Sequence, residues 1–214
     1  MQRMAENYRK IRNTFRYILG NLYDFRPNAH NVPFEKMESI DQFMLRQTAE
    51  LNDQVQRWYD AFEFHKIYQR VNQFCVVELS AFYFDVLKDR LYTSAPKSQA
   101  RRAAQTAIWL IGETLAGLLA PIMSFTCEEV WRYLPQMPDR EESVHLTRFP
   151  QRADILGEAP MEDPRQKEDW TTLHAVRDEV LKALEEARNS KLIGGSLEAE
   201  VKVTASDPAY SVLA

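Results

Sequence analysis

The sequence has little glycine, proline or cysteine: 6, 10 and 2 residues among 214. β-Sandwiches and barrels need frequent turns, so this scarcity argues against them and favours long helices. No uncharged apolar run reaches the roughly 18 residues that a membrane-spanning helix needs. The first residues, MQRMAENYRK, do not form an apolar signal segment. We therefore expect an all-α, cytoplasmic protein that does not contact a membrane.

The sequence also lacks the usual signatures of catalysis and metal binding. HExxH, GxSxG, P-loop and GxGxxG patterns are absent. Cys75 and Cys127 lie far apart in apolar helical contexts, and the four histidines are scattered along the chain. The simplest interpretation is two buried free thiols in a reducing compartment. We expect no metal and no cofactor in this chain.

Charge is unevenly distributed along the sequence. The formal net charge is -4, which by itself gives no indication of nucleic-acid binding. Residues 1–26, however, contain six basic and two acidic residues, whereas residues 151–214 contain eight basic and thirteen acidic ones. This asymmetry is typical of a protein with one basic interaction surface.

Hydrophobic spacing predicts four long helices in the first part of the chain. Apolar residues recur at three- and four-residue steps over residues 3–20, 39–63 and 64–92, and again from Ser98 to just before Pro121. The third segment is apolar almost all round in its middle, so we expect it at the centre. Short connections between the segments predict an antiparallel helical bundle. A capping-box pattern at 126–129 predicts one further short helix.

The rest of the chain has a different character. Residues 135–164 are proline-rich and irregular apart from an extended run, VHLTRF. Residues 165–191 predict an amphipathic helix, and the run from Ser196 to Ala205 alternates like a strand that has no partner. We therefore expect a short truncated β segment there, in a sequence that is part of a longer chain. The predicted domains are a helical bundle at 1–134, a connector at 135–164 and a C-terminal helix with the start of a truncated region at 165–214.

Several strings together resemble one known family. They are YRKIRNT at 8–14 with LGNLYDF at 19–25, LSAFYFD at 79–85 with KDRLY at 88–92, LAPI at 119–122 with FT and EEVW ending at Trp131, and the junction from Arg177 to Ala199. These strings closely resemble the anticodon-binding domain of bacterial isoleucyl-tRNA synthetases. Valine, leucine and methionine enzymes share the string at 119–131 in looser form.

The resemblance implies a bundle that binds the anticodon stem and loop of isoleucine tRNA. Such enzymes use ATP and Mg to activate isoleucine and then transfer it to the tRNA. The HIGH and KMSKS signatures of the catalytic domain, the editing domain and the C-terminal zinc module of many family members do not occur in this sequence. The resemblance therefore implies an accessory region that is inactive alone, is expected to be monomeric, and has isoleucine tRNA and the catalytic domain of its own polypeptide as partners.

Basic and amide side chains are the candidate RNA contacts. Arginines one helical turn apart can engage successive phosphates, and an asparagine offers both a donor and an acceptor to a base edge. For residues 66–73, pairing with acidic neighbours is an equally good interpretation, and Arg101 favours a salt bridge. The candidate residues are Arg9, Arg12, Asn13 and Arg16 on the first helix, Lys66, Arg70 and Gln73 on the third, and Arg101 on the fourth.

The sequence leaves two alternatives open. One is the equivalent domain of a valyl- or leucyl-tRNA synthetase. The other is a helical protein-interaction module without RNA binding, which the net charge of -4 and the acidic C-terminal region favour.

Aromatic residues on the apolar stripes are predicted to pack in the core rather than to stack on bases: Tyr8, Phe15, Trp58, Phe74, Phe82, Trp109 and Trp131.

Overall fold

The computed structural model describes residues 2–161 and 163–213, and regular structure in these ranges is helical. No β-strand occurs in them, so the prediction of an all-α bundle is confirmed. The chain divides into two compact units, the first ending at Met161. The helices of the first unit are α1 (Gln2–Asn21), α2 (Pro27–His30), α3 (Ser39–Asp60), α4 (Phe64–Gln73), a π-helix (Phe74–Tyr83), α5 (Phe84–Tyr92), α6 (Gln99–Leu119), α7 (Ser124–Tyr133) and α8 (Arg152–Leu156).

Helix α6 is the centre of the bundle. It packs against α1, α3, α5, α7 and α8, and 16 of its 21 residues are buried. Alanine and glycine make up much of its surface, which allows close approach on several sides: a Cβ at Gly112 would lie 3.0 Å from Ile18 Cγ2. Ser98 caps the helix by accepting a hydrogen bond from the Arg101 amide. The expectation that the third segment is central was therefore wrong.

The third segment is one continuous helical rod with a π-helical middle. Helix α4, the π-helix and α5 follow one another without a break from Phe64 to Tyr92. The hydroxyl of Ser80 donates to the carbonyl of Cys75, five residues earlier, at 2.7 Å. Although this segment is apolar almost all round, one of its sides is not covered by the other helices that the structure describes in this unit. Val77, for example, is 54% exposed.

A buried polar network joins α3 to the third segment. Asp41 is completely buried and accepts hydrogen bonds from the hydroxyl of Tyr83 at 2.8 Å and from Arg90 at 2.5 and 2.9 Å. Because a buried carboxylate is costly unless it is paired, this network fixes the two elements relative to each other. Burial also raises the pKa of Tyr83 well above its ordinary value, with the Asp41 charge adding to the effect.

The proline-rich residues that follow α7 belong to the first unit and pack on its helices. The indole of Trp131 donates to the carbonyl of Glu141 at 2.9 Å, and the side-chain amide of Asn52 donates to the carbonyl of Pro150 at 2.9 Å. The guanidinium of Arg140 lies 3.4 Å from the centre of the Trp131 ring. Buried backbone carbonyls thereby find donors although the segment has little regular structure.

Two local predictions in this region were wrong. The run VHLTRF is not extended, because Val144–Leu146 forms a 3₁₀ turn that Ser143 caps. Helix α7 forms as expected but begins at Ser124, and its N-cap residue, Met123, makes no side-chain capping bond. Thr126 instead lies within the first turn, where its hydroxyl is 2.9 Å from the hydroxyl of Tyr8.

The second unit consists of a long helix and short irregular pieces. Helix α9 (Pro164–Asn189) begins after Asp163, whose side chain accepts from the Gln166 amide. A 3₁₀ turn at Ser196–Glu198 and a short helix, α10 (Ala209–Leu213), follow. The predicted β segment is absent from this described part, because the alternating residues have no second strand with which to pair. No helix in the described ranges could span a membrane.

Candidate nucleic-acid interface

The outer face of α1 carries a stripe of polar residues. Arg9, Asn13 and Arg16 are spaced by four and three residues, so they lie on nearly the same side of the helix, and all three are exposed. Arg9 and Arg16 are about 10 Å apart along the axis at 1.5 Å per residue. The opposite face supplies Ile11, Phe15 and Ile18 to the core. The predicted division of this helix into a basic and an apolar face is present in the structure.

The three candidate arginines of α1 differ in their partners. Arg12 forms an ion pair of 3.1 Å with Glu129 on α7 and lies 3.5 Å from the hydroxyl of Tyr8. Arg9 and Arg16 have no hydrogen-bond or ion-pair partner among the residues that the structure describes. The hydrogen bonds with Thr126 and Arg12 lower the pKa of Tyr8. Arg9 and Arg16 are therefore the cations of this face that can meet an external anion without first giving up a partner.

A cleft of about 550 Å³ lies between α1 and α7. The Arg12–Glu129 ion pair crosses it, and the buried side chains of Phe15 and Val130 lie at its base. Its volume is in the range of ordinary ligand sites, which are roughly 300–1,000 Å³. We call it the α1–α7 cleft. Its full lining is Arg12, Asn13, Phe15, Arg16, Leu19, Gly20, Thr126, Glu129, Val130 and Tyr133.

Two exposed aromatic side chains of α7 were not predicted, and one of them, Tyr133, lines this cleft. Phe125 is 95% exposed and Tyr133 is 72% exposed, both on the outer side of α7. The apolar side chains that α7 buries, including Cys127 and Val130, define a different face of the helix. The sequence contains part of this signal: position 125 lies opposite that buried face, whereas Tyr133, three residues after Val130, lies at its edge. Exposed aromatic rings of this kind are suited to stacking on bases or to covering another surface.

The candidate residues on α4 are mostly occupied by neighbouring acids. Lys66 pairs with Glu63 at 2.6 Å. Arg70 makes two hydrogen bonds to Glu78 on the π-helix, at 2.8 and 3.2 Å. Gln73 is exposed but stands beside these neutralised pairs. Ion pairing, the structural interpretation left open above, thus accounts for both cations.

Arg101 does not lie on an accessible basic surface. It is 5% exposed and makes two hydrogen bonds to the carboxylate of Asp24, at 2.7 and 3.0 Å. These bonds, with one from the side chain of Gln105, lower the pKa of Asp24 to about 2 despite its partial burial. A guanidinium enclosed in this way cannot reach an external phosphate, so its prediction as an RNA contact is corrected.

The two thiols are buried, and the described side chains form no metal centre. Cys75 and Cys127 are both free and buried, and burial raises the pKa of each thiol to about 12. Thiols with such high pKa values are poor nucleophiles. Within residues 2–161 and 163–213, no group of histidine, cysteine and carboxylate side chains has the arrangement of a metal site. The notable features of the surface are therefore the stripe of α1 and the cleft beside it.

Comparison with known proteins gives a consistent result. The sequence model of the family described as the anticodon-binding domain of tRNA ligase matches residues 41–203. The isoleucine-tRNA ligase of Natranaerobius thermophilus is 47% identical over 213 residues, covering 100% of this chain and 22% of the relative. That of Persephonella marina is 45% identical over 214 residues, with the same coverage. The ligase of Geobacillus kaustophilus is 44% identical over 214 residues, covering 100% of this chain and 23% of the relative.

The family model and the individual relatives match different parts of the chain, and α1 is covered only by the relatives. The chain spans less than a quarter of the length of these relatives. The family match begins within α3, whereas the matches to the individual relatives also cover α1.

Proposed function

Because the chain belongs to the anticodon-binding domain family of tRNA ligases, we propose that it binds the anticodon arm of a tRNA through the outer face of α1. The observation that supports this surface is the stripe of Arg9, Asn13 and Arg16, in which both cations are exposed and unpaired among the described residues. The RNA backbone is polyanionic, so phosphates are the natural partners of these arginines. In this proposal Asn13, which lies between them, contacts a base edge.

The proposed cognate RNA is isoleucine tRNA. The relatives that cover this chain from end to end are named isoleucine-tRNA ligases. In this proposal the longer protein activates isoleucine with ATP and Mg in its other domains, and this chain contributes only tRNA binding. The alternative assignment to a valine or leucine enzyme is tested by measuring whether valine tRNA or leucine tRNA competes with isoleucine tRNA for binding to this chain at physiological salt. Preference for either of the latter would overturn it.

The test of the surface is tRNA binding as a function of salt. The Arg9→Ala/Arg16→Ala variant should weaken binding and make the slope of log affinity against log salt shallower. Removal of one phosphate–cation pair changes the slope by about 0.7–0.9, so the double variant should change it by about 1.4–1.8. Helical content should not fall, because alanine is the best helix former and both side chains are exposed.

Two control variants show whether the position or only the charge matters. Lys36→Ala/Arg57→Ala removes the same charge from exposed positions before and within α3. It should leave the slope nearly unchanged. Arg12→Ala should have a smaller effect than Arg9→Ala, because Arg12 already pairs with Glu129. Equal slopes for the Arg9/Arg16 variant and the wild type would refute this surface, and no RNA binding at any salt would favour the protein-interaction module instead.

A further inference from the structure

The α1–α7 cleft has the walls that a flat, uncharged ring would need. Tyr133 stands at its α7 side, 72% exposed, and makes no hydrogen bond or ring contact with any residue that the structure describes. On the α1 side, Gly20 has no side chain, and a Cβ built there would meet nothing within 4 Å, so this wall leaves the space open. Leu19 and Val130 add apolar surface. One face of a ring could thus lie on Tyr133 while its edges remain near polar groups.

The acidic residues near this cleft do not repel an RNA chain as free charges would. Glu129 is paired with Arg12 at 3.1 Å. Glu128 accepts from the hydroxyl of Ser143 at 2.9 Å, from the Val144 amide and from Arg132, whose positive charge offsets its own. The unpaired charge that lines the cleft is that of Arg16. A neutral base on an anionic RNA backbone is complementary to an apolar cleft whose unpaired charge is positive.

We propose that the α1–α7 cleft receives one unstacked base from the loop of the bound RNA, with Tyr133 as its stacking surface. Asn13, which also lines the cleft, hydrogen-bonds to the edge of that base, and Arg16 neutralises the adjoining phosphate. Loop bases of RNA are recognised in this way because they can leave the stack and expose both a face and an edge. This inference rests on the proposed function, since it adds a site for one base to the RNA-binding face of α1.

The experiment uses an RNA hairpin with the anticodon stem and loop of isoleucine tRNA, carrying the fluorescent base 2-aminopurine at each loop position in turn. Titration with the wild-type chain should change the emission saturably at one loop position. Tyr133→Ala should abolish that change and lower affinity about 5- to 150-fold, which corresponds to the roughly 1–3 kcal/mol of one base stacked on an aromatic ring. Its salt slope should stay at the wild-type value, because no phosphate contact is removed.

Matched variants separate stacking from other effects. Tyr133→Phe keeps the ring and should bind like the wild type. Tyr23→Ala removes an equally accessible tyrosine, 81% exposed, that does not line the cleft, and should also bind normally. Asn13→Ala should reduce discrimination between loop sequences at an unchanged salt slope. Circular dichroism of each variant establishes that the helices are intact.

Distinct outcomes overturn the cleft and the proposed function. If Tyr133→Ala binds like the wild type, or if no loop position changes its emission, the inference is refuted and the exposed ring covers a protein surface instead. If the Arg9→Ala/Arg16→Ala variant still weakens binding in that case, the proposed function stands without the cleft. Failure of the wild type to bind the hairpin at any salt overturns both.

Discussion

The ion pair between Asp24 and Arg101 predicts a pH-dependent loss of stability. Arg101 is buried in α6, and Asp24, in the connection after α1, neutralises it through two hydrogen bonds. Gln105 donates a further bond to the same carboxylate at 2.8 Å. The pKa of Asp24 falls from 3.8 to about 2 as a result. The perturbation that tests this is Asp24→Asn, which keeps the shape of the side chain and removes its charge.

The magnitude follows from the shift in pKa. One pKa unit corresponds to about 1.4 kcal/mol, so the shift of Asp24 is worth at most about 2.4 kcal/mol of unfolding free energy at neutral pH. Its side chain is 25% exposed, and solvent screening reduces this value to about 1–2 kcal/mol. Because the pKa is lower in the folded state, the contribution is present above about pH 4 and is lost as the pH falls towards 2.

Urea unfolding of the wild type and Asp24→Asn at pH 6 and at pH 3 measures this contribution. At pH 6 the variant should be less stable by at least about 1–2 kcal/mol. At pH 3 the difference should shrink by close to half, because the carboxyl is then largely protonated in the unfolded wild type. Asp139→Asn, at an exposed carboxylate with no partner among the described residues, should match the wild type at both pH values. A difference for Asp24→Asn that is the same at both pH values would refute the reasoning.

Packing and exposure lead to two further predictions. Gly112→Ala should lower the urea midpoint, because the new Cβ would lie 3.0 Å from Ile18 and 3.2 Å from Leu134. Overpacking costs about 1–3 kcal/mol, which exceeds the gain of about 1 kcal/mol in helix propensity. Gly20→Ala, where the new methyl meets nothing, should be neutral or stabilising; equal effects at both glycines would contradict this account. Trypsin should cut at the exposed Lys202, in the irregular segment of the second unit, before it cuts α6, and early cleavage in α6 would contradict the burial of that helix.

Features that are local in sequence were the ones that the sequence could predict. The helices and the basic stripe of α1 follow from periodicity within single segments, and Arg9, Asn13 and Arg16 lie where that periodicity places them. The partners of the other cations could not be read in this way. Glu129 is 117 residues from Arg12, and Asp24 is 77 residues from Arg101, so only the packing of distant helices brings them together.

The sequence analysis missed the central helix and the exposed aromatic residues for different reasons. Apolar content suggested the segment containing the π-helix as the core, but the small residues of α6 allow more neighbours to approach it. The seven aromatic residues predicted to pack in the core did not include Phe125 or Tyr133, which are exposed on α7. One of the seven, Tyr8, is 38% exposed, so its prediction as a core residue was wrong. A helical projection aligned on Cys127 and Val130 would have placed Phe125 outside and Tyr133 at the edge of the buried face, whereas the relation of Tyr133 to the cleft also requires the position of α1.

The packing of α4 and α5 constrains the length of the π-helix that joins them. If the remaining residues kept the π-helical geometry, deleting one residue from Phe74–Tyr83 would rotate α5 relative to α4 by somewhat less than the roughly 100° per residue of an α-helix, because a π-helix has more residues in each turn. The ring of Phe84 would then leave that of Tyr17, which it stacks on at 4.2 Å, and Tyr83 would no longer face Asp41. Substitutions that preserve bulk can be absorbed here, but insertions and deletions cannot, so relatives that share this packing should keep the segment at constant length.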